Sequence, residues 1–183
     1  GNHQSNMDPI LLVSILRNPN IAMIMKDNIL KFPFLRRWLL SAGYLPLDRN
    51  NDRKAIEAVI KGIRWIEDGY TFGAFPEGTR SKKGVLLPFR SGIFKVAQKA
   101  RCPILVFTMD GVYKLKKNFP LVPTKIYIKI HPMIEFETFE HTSTVELGEN
   151  IRNLMKDTIQ EARSKYTWLY TKKELEVKSN ESQ

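Results

Sequence analysis

Hydrophobic residues recur along the chain with the period of a helix in some segments and as compact runs in others. Residues 53–67 place isoleucine and valine every three or four positions between charged residues, which predicts an amphipathic helix. Further helices are predicted over residues 91–100 and from about residue 146 to 163. Compact apolar runs predict covered strands: residues 21–25, 70–75 and 103–109.

Three more elements are predicted, one near the N-terminus and two after residue 124. Residues 9–16 are apolar nearly all round and start with proline, which predicts a short buried helix. Residues 125–130 alternate isoleucine with lysine and tyrosine, which predicts a half-exposed strand, and a further strand is expected through Ile134 and Phe136. The long helix should pack through one set of side chains: Leu147, Ile151, Leu154, Met155 and Ile159.

The order of these elements predicts one α/β domain. Helices alternate with apolar strands, which indicates a central, mostly parallel sheet flanked by helices on both faces. A length of 183 residues fits a single domain around one core. We assign residues 1–170 to this domain and the polar, charged residues 171–183 to a C-terminal tail.

Charge and cysteine content narrow the choice of partners. A net charge of +10 favours phosphates, nucleic acid or an anionic membrane surface. The single cysteine, Cys102, excludes an internal disulfide and a multi-cysteine metal cage.

No run approaches the roughly 18 apolar residues of a spanning helix. Because the chain begins at Gly1, we expect a fragment or processed form whose N-terminal anchor region is missing.

The segment 29–47 is aromatic and basic together, and it has two interpretations. Its aromatic residues, Trp38 among them, could simply belong to the core. With Arg36 and Arg37 between them, they could instead dock on anionic lipid. Three lysines would add to the same basic face: Lys114, Lys116 and Lys117.

The first candidate for chemistry is His3 with Asp8, in what we call the amino-terminal motif (residues 2–8). Five positions on a straight helix point about 140° apart, so this pair can meet only at a junction between a loop and a helix. There the carboxylate could accept the Nδ1 proton of His3 and leave Nε2 as a base. The plainer interpretation is a loop histidine and a helix N-cap.

The second candidate is the sequence Phe-Pro-Glu-Gly-Thr-Arg-Ser, which we call the EGTR loop (residues 75–81). It follows a predicted strand, and ligands bind at the carboxyl edge of open α/β sheets. Gly78 permits close backbone approach and Arg80 offers a planar fork for a phosphate. An ordinary solvated turn would have the same appearance.

Together these two motifs resemble those of the glycerolipid acyltransferase family, specifically the 1-acylglycerol-3-phosphate acyltransferases. Lys26 and residues 43–49, which end in Asp-Arg, resemble the second block of that family, and Pro103 with the two residues after it resembles the fourth. The resemblance covers roughly residues 1–135. Family members usually carry a strand and a membrane-associated hairpin before the amino-terminal motif, so anchoring and part of the acyl tunnel are undetermined.

The resemblance implies a mechanism. His3, polarised by Asp8, would take the proton from the free hydroxyl of lysophosphatidic acid, which attacks the thioester of acyl-CoA or acyl-carrier protein and gives phosphatidic acid. No cofactor, metal or acyl-enzyme is implied, so Cys102 is not needed. Residues expected to bind substrate are Lys26, Arg49, Glu77, Gly78, Thr79 and Arg80. Arg80 and Lys26 are the first choices for the acceptor phosphate, whereas Arg49 could be structural and Glu77 could bind glycerol or brace its loop.

Other functions stay open. The acceptor could be glycerol 3-phosphate or another lysophospholipid, and the enzyme could be a CoA-independent transacylase. A basic nucleic-acid-binding module agrees with the charge, but no recognition motif supports it. The expected location is the cytoplasmic face of a membrane with an anionic surface, with no nucleic acid as partner.

Overall fold

The structure is a computed structural model that describes residues 1–17, 20–26, 44–47, 52–81, 84–118, 122–172 and 175. Within strands and helices it leaves the side chains of residues 24–26, 44–47, 52–55 and 116–117 undescribed. The predictions for Arg36, Arg37, Trp38, Arg49 and most of the C-terminal tail therefore lie outside the described residues.

Three short strands form a parallel sheet. Strands β1 (Ile21–Lys26), β2 (Tyr44–Leu47) and β3 (Thr71–Gly73) lie in the order β2-β1-β3. Met23 of β1 stands opposite Tyr44 on one side and Gly73 on the other. Because the strands are parallel, their carboxyl ends meet at one edge, and β3 leads directly into the EGTR loop.

Two further strands form an antiparallel ladder. Strand β4 (Phe107–Asp110) pairs with β5 (Tyr127–Ile130), with Phe107 opposite Ile130. The strand predicted over residues 103–109 is shorter than expected, and Ile104 contributes only an isolated bridge to Ile134.

The prediction of a further strand through Ile134 and Phe136 is wrong. Pro132 has no N–H to donate to a ladder, and β5 ends before it. Residues Phe136–Phe139 instead form one helical turn, which buries Phe136 and Phe139 on one side. Two aromatic residues three positions apart satisfy the helical period better than the period of two in a strand.

The described residues also contain six α-helices and three 3₁₀ turns. The helices are α1 (Asp8–Leu16), α2 (Asp52–Glu67), α3 (Lys95–Ala100), α4 (Leu115–Asn118), α5 (Phe136–Phe139) and α6 (Thr144–Lys165). The 3₁₀ turns are Ser91–Phe94, Val112–Lys114 and Thr167–Leu169. None of the helices in the described ranges is long and apolar enough to span a membrane.

Helix α1 is less buried than its composition predicts. Ile10 and Ile15 are exposed, and only Asp8 and Leu12 are buried. The helix is apolar all round, so composition alone could not identify the face that meets the core.

Two apolar clusters hold the described elements together. The first joins α1 to strands of both ladders through Leu12, Ile21, Met23, Phe107, Met109 and Val112. The second packs α6 and α5 against the 91–94 turn and residues near β4: Phe94, Val106, Phe136, Phe139, Leu147, Ile151 and Met155. An α/β fold is therefore confirmed. One continuous sheet covered on both faces stays a prediction, because the described strands form two separate ladders.

Neighbouring positions on α6 provide a test of this packing. Met155 is 1% exposed within the second cluster, whereas Leu154, which the sequence placed in the core, is 38% exposed. We expect Met155→Ala to lower the free energy of unfolding by about 2–5 kcal/mol and Leu154→Ala to change it by less than about 0.5 kcal/mol. Denaturant unfolding of the two variants measures this difference, and equal losses would contradict the assigned face of α6.

Candidate active site

The imidazole of His3 meets the carboxylate of Asp8 at the start of α1. His3 Nδ1 lies 2.8 Å from Asp8 Oδ2, and both residues are buried. The same oxygen accepts the backbone N–H groups of Gln4 at 2.6 Å and Ser5 at 2.8 Å. The motif is a loop-to-helix junction, as the spacing required. Met7 is the N-cap, and Asp8 is the first helical residue.

The EGTR loop holds the backbone of His3 on both sides. The His3 N–H donates to Glu77 Oε1 at 2.6 Å, and the His3 carbonyl accepts the N–H of Ser81 at 2.7 Å. The ring of Phe75 stacks on the imidazole with centroids 4.6 Å apart. The two motifs recognised in the sequence are therefore one structural unit, with His3 at its centre.

Glu77 braces backbone in the described structure. Besides the His3 N–H, its carboxylate accepts the N–H of Leu87 at 3.0 Å, and the residue is only 4% exposed. Burial raises the pKa of Glu77 to about 7, and the two backbone donors oppose that rise. Of the two roles that the sequence left open, these contacts favour bracing the loop.

Gly78 has a conformation that a larger residue would not tolerate. Its φ is +66°, and a Cβ would stand 2.8 Å from Nε of Arg90. Thr79 and Arg80 follow on the exposed side of the turn. The turn thus presents Arg80 to solvent. The side chain of a second arginine, Arg90, packs against Gly78, and the backbone N–H of Arg90 donates to the carbonyl of Pro76. Nothing in the motif indicated Arg90, which lies ten positions after Arg80.

The amino-terminal motif is also tied to the end of β4. Asn2 exchanges two hydrogen bonds of 2.7 Å with the backbone of Met109, as a neighbouring strand would. Gln4 donates to Asp110 Oδ1 at 3.2 Å and accepts the N–H of Val112 at 3.1 Å. The residues on both sides of His3 are therefore fixed by β4 and the turn after it.

Asp110 is held in turn by Arg163 near the end of α6. The guanidinium donates to both carboxylate oxygens, at 2.8 and 3.2 Å, and to the carbonyl of Gly84 at 2.8 Å. Asp110 is 0% exposed and Arg163 is 7% exposed. This ion pair joins the amino-terminal motif to the segment after the EGTR loop, and nothing in the sequence pattern indicated it.

The other two histidines have different surroundings. The Nε2 atom of His131 lies 2.9 Å from the Thr108 hydroxyl, and burial lowers the pKa of its imidazole. His141 is exposed, with Glu140 3.9 Å away. Among the three, His3 has the short contact to a buried carboxylate.

Several basic residues that the sequence singled out either lie outside the described part of the structure or have contacts elsewhere. Lys26 ends β1, but its side chain is outside the described part of the chain, as is all of Arg49. Lys114 donates to the carbonyl of Leu169 at 3.0 Å and lies over the ring of Tyr170, so it holds the segment after α6. The side chains of Lys116 and Lys117 are also undescribed.

An apolar cavity of about 460 Å³ lies beside the site. Gly1 and Pro76 border it, and its walls include β3, the residues before β4 and the apolar side of α6. Half-buried Cys102 also lines it, and burial raises the pKa of this thiol. The thiol is therefore kept in its protonated, weakly nucleophilic form.

A model of the acyltransferase family matches residues 1–110. The chain therefore belongs to the acyltransferase family, which confirms the resemblance drawn from its motifs.

The relatives are more specific. The 1-acyl-sn-glycerol-3-phosphate acyltransferases of Borreliella burgdorferi and Escherichia coli are each 29% identical to this chain, over 87% and 88% of its length. These matches span 62% and 66% of the two relatives. The crystal structure of the lysophosphatidic acid acyltransferase PlsC from Thermotoga maritima gives a TM-score of 0.74 at 28% identity, over 90% of this chain and 65% of that one.

The buried ion pair yields a test of how the site is held. Arg163→Met leaves the carboxylate of Asp110 buried without its partner, and we expect this to cost about 3–5 kcal/mol of unfolding free energy. Arg101→Met removes an arginine whose side chain is 72% exposed in its ion pair with Glu140, and we expect a cost below about 1 kcal/mol. Thermal and denaturant unfolding compare the two, and a similar cost in both would contradict a structural role for the Asp110–Arg163 pair.

Proposed function

We propose that the chain transfers a fatty acyl group from acyl-CoA or acyl-carrier protein to the free hydroxyl of lysophosphatidic acid. The product is phosphatidic acid, and the reaction needs no cofactor beyond the two substrates. The observation that carries the proposal is the 2.8 Å contact between His3 and the buried Asp8 in a chain of the acyltransferase family. The names of its relatives support the acceptor.

The contact between His3 and Asp8 supports a separate role for each nitrogen of the His3 ring. Asp8 accepts the Nδ1 proton, which leaves the lone pair on Nε2 to take the proton of the attacking hydroxyl. As the imidazolium forms, the carboxylate stabilises its charge. The second oxygen, Asp8 Oδ1, is buried and has no hydrogen-bond partner among the described residues. No described hydrogen-bond donor therefore stabilises the negative charge at Oδ1.

The alkoxide attacks the thioester carbonyl, and the collapse of the tetrahedral intermediate forms the new ester and expels the thiolate. The proton on Nε2 passes to that thiolate, so His3 returns to its starting state. No acyl-enzyme is formed, in agreement with a protonated thiol at Cys102.

Charge and apolar surface near the site suit a phosphorylated lipid. Arg80 on the exposed turn is the proposed clamp for the acceptor phosphate, with Lys26 and Arg49 as further cations. The apolar cavity that borders Gly1 and Pro76 suits a fatty chain. The net charge of +10 supports work at an anionic membrane surface, which we place on the cytoplasmic face.

The direct experiment measures transfer of labelled acyl groups from acyl-CoA and from acyl-carrier protein. Lysophosphatidic acid, other lysophospholipids and glycerol 3-phosphate serve as acceptors, presented in anionic lipid vesicles. We expect phosphatidic acid as the main product. Preference for a different acceptor would change the substrate assignment, and no transfer with any pair would reject the proposed function.

Replacing His3 tests the general base. We expect His3→Ala to lower kcat by about 10²-fold or more, because a positioned base contributes about 10²–10⁴-fold. The matched control, His141→Ala, removes an exposed imidazole and should keep the wild-type rate. Steady-state kinetics and a circular dichroism spectrum check rate and folding, and full activity in a folded His3→Ala variant removes His3 from the mechanism.

Replacing Arg80 tests the phosphate clamp. We expect Arg80→Ala to raise the KM for lysophosphatidic acid by about tenfold, because a charge-assisted hydrogen bond contributes about 1.5–3 kcal/mol. The KM for the acyl donor should change much less. A larger rise in the donor KM would instead place Arg80 at the phosphates of the donor.

A further inference from the structure

A second, polar cavity lies between α6 and the segment that follows the EGTR loop. It has a volume of about 290 Å³ and is bounded by Gly84, Val85 and Leu86 on one side and by α6 on the other. Three basic residues of α6 line it, namely Arg152, Lys156 and Arg163, and none of the described lining residues carries a carboxylate. They are spaced four and seven positions apart, so they share one face of the helix.

The three cations are not equally compensated. Arg163 is neutralised by Asp110 behind the cavity wall. Arg152 donates to the carbonyls of Leu86 and Leu87, and its only ion pair among the described residues is a 3.6 Å contact with Glu149.

Lys156 is the cation that has no partner among the described residues of the cavity. It is half-buried, and it forms no hydrogen bond or ion pair with any residue that the structure describes. A lysine and an arginine one helical turn apart on the wall of a polar cavity can both donate to one anion.

The cavity is linked to the candidate active site through the backbone of one residue, Leu87. The Leu87 N–H donates to Glu77, whose other oxygen accepts the His3 N–H, and the Leu87 carbonyl accepts the guanidinium of Arg152 at 3.2 Å. An anion in the cavity would therefore bind beside the element that holds the proposed base.

We propose that this cavity binds a phosphate group, with the Lys156 ammonium as its main ligand and Arg152 beside it. Two sources carry that chemistry in the proposed reaction: the phosphate of the acceptor lipid and the phosphopantetheine phosphate that coenzyme A and acyl-carrier protein share. Assignment to a substrate rests on the proposed function, whereas binding of phosphate itself does not.

Binding is tested with inorganic phosphate in an Arg80→Ala background, which removes the proposed acceptor clamp from the titration. Isothermal titration is combined with the amide NMR shifts of Gly84 and Gln160, which line the cavity. We expect saturable shifts at both residues. Adding Lys156→Gln should weaken binding by about tenfold, and Lys156→Arg should largely restore it.

The matched control is Lys99→Gln, which removes an exposed lysine of α3 and changes the net charge equally. Its phosphate affinity should stay at the background value. Equal affinity in the Lys156→Gln and Lys99→Gln variants, or no shift at Gly84 and Gln160, overturns the proposed site.

The kinetic test identifies the source of the phosphate. In an otherwise wild-type chain, Lys156→Gln should raise the KM for one substrate by about tenfold with little change in kcat. A rise for lysophosphatidic acid assigns the cavity to the acceptor, and a rise for both acyl-CoA and acyl-carrier protein assigns it to the donor. If neither KM changes, the substrate assignment is rejected even where phosphate binds.

The two proposals fail separately. His3→Ala should lower kcat by about 10²-fold or more and keep phosphate binding in the Arg80→Ala background, because His3 does not line the cavity. Phosphate binding without acyl transfer by the wild-type chain would reject the proposed function and keep the anion site. Acyl transfer without phosphate binding would do the reverse.

Discussion

The candidate site depends on one buried carboxylate oxygen. Asp8 Oδ2 accepts hydrogen bonds from three consecutive residues, through the ring of His3 and the backbone N–H groups of Gln4 and Ser5. These bonds bend the chain into a corner at the start of α1 and orient the imidazole. They also leave the backbone of His3 facing the EGTR loop, where Glu77 and Ser81 bind it. An oxygen with so many donors cannot be replaced without changing both the ring orientation and the loop.

Contacts between residues far apart in the sequence hold this corner in place. Phe75 stacks on His3 and meets Phe107 edge-on, so the aromatic packing runs from the EGTR loop to β4. Gln4 bonds Asp110, and the Arg163 guanidinium joins Asp110 to Gly84. Parallel strands bring loops to one edge of a sheet, but side-chain hydrogen bonds set the distances between them. The proposed base, His3, must meet a hydroxyl within hydrogen-bond distance and would gain from such rigidity.

Apolar and charged surfaces lie on different sides of this corner. The large apolar cavity borders Gly1 and Pro76, whereas Arg80 lies on the exposed turn and Lys156 lines the polar cavity against α6. The proposed substrate is an amphiphile and needs this separation, because its chain and its phosphate cannot share one environment.

The local features of this protein could be predicted from its sequence. The helical period of residues 53–67 and the long helix near the C-terminus were predictable, because amphipathic periodicity follows from helix geometry. The spacing of His3 and Asp8 required a corner, and the EGTR loop was recognisable as a string. The long-range contacts could not be predicted in this way: Glu77 bonds a residue 74 positions away, and Arg163 holds Asp110. Nor could the sequence show that Leu154 faces outward or that Phe136 starts a helix. These outcomes depend on which distant group occupies the neighbouring space. Periodicity describes a segment's own faces, whereas burial and hydrogen-bond partners are set by elements that approach from elsewhere in the chain.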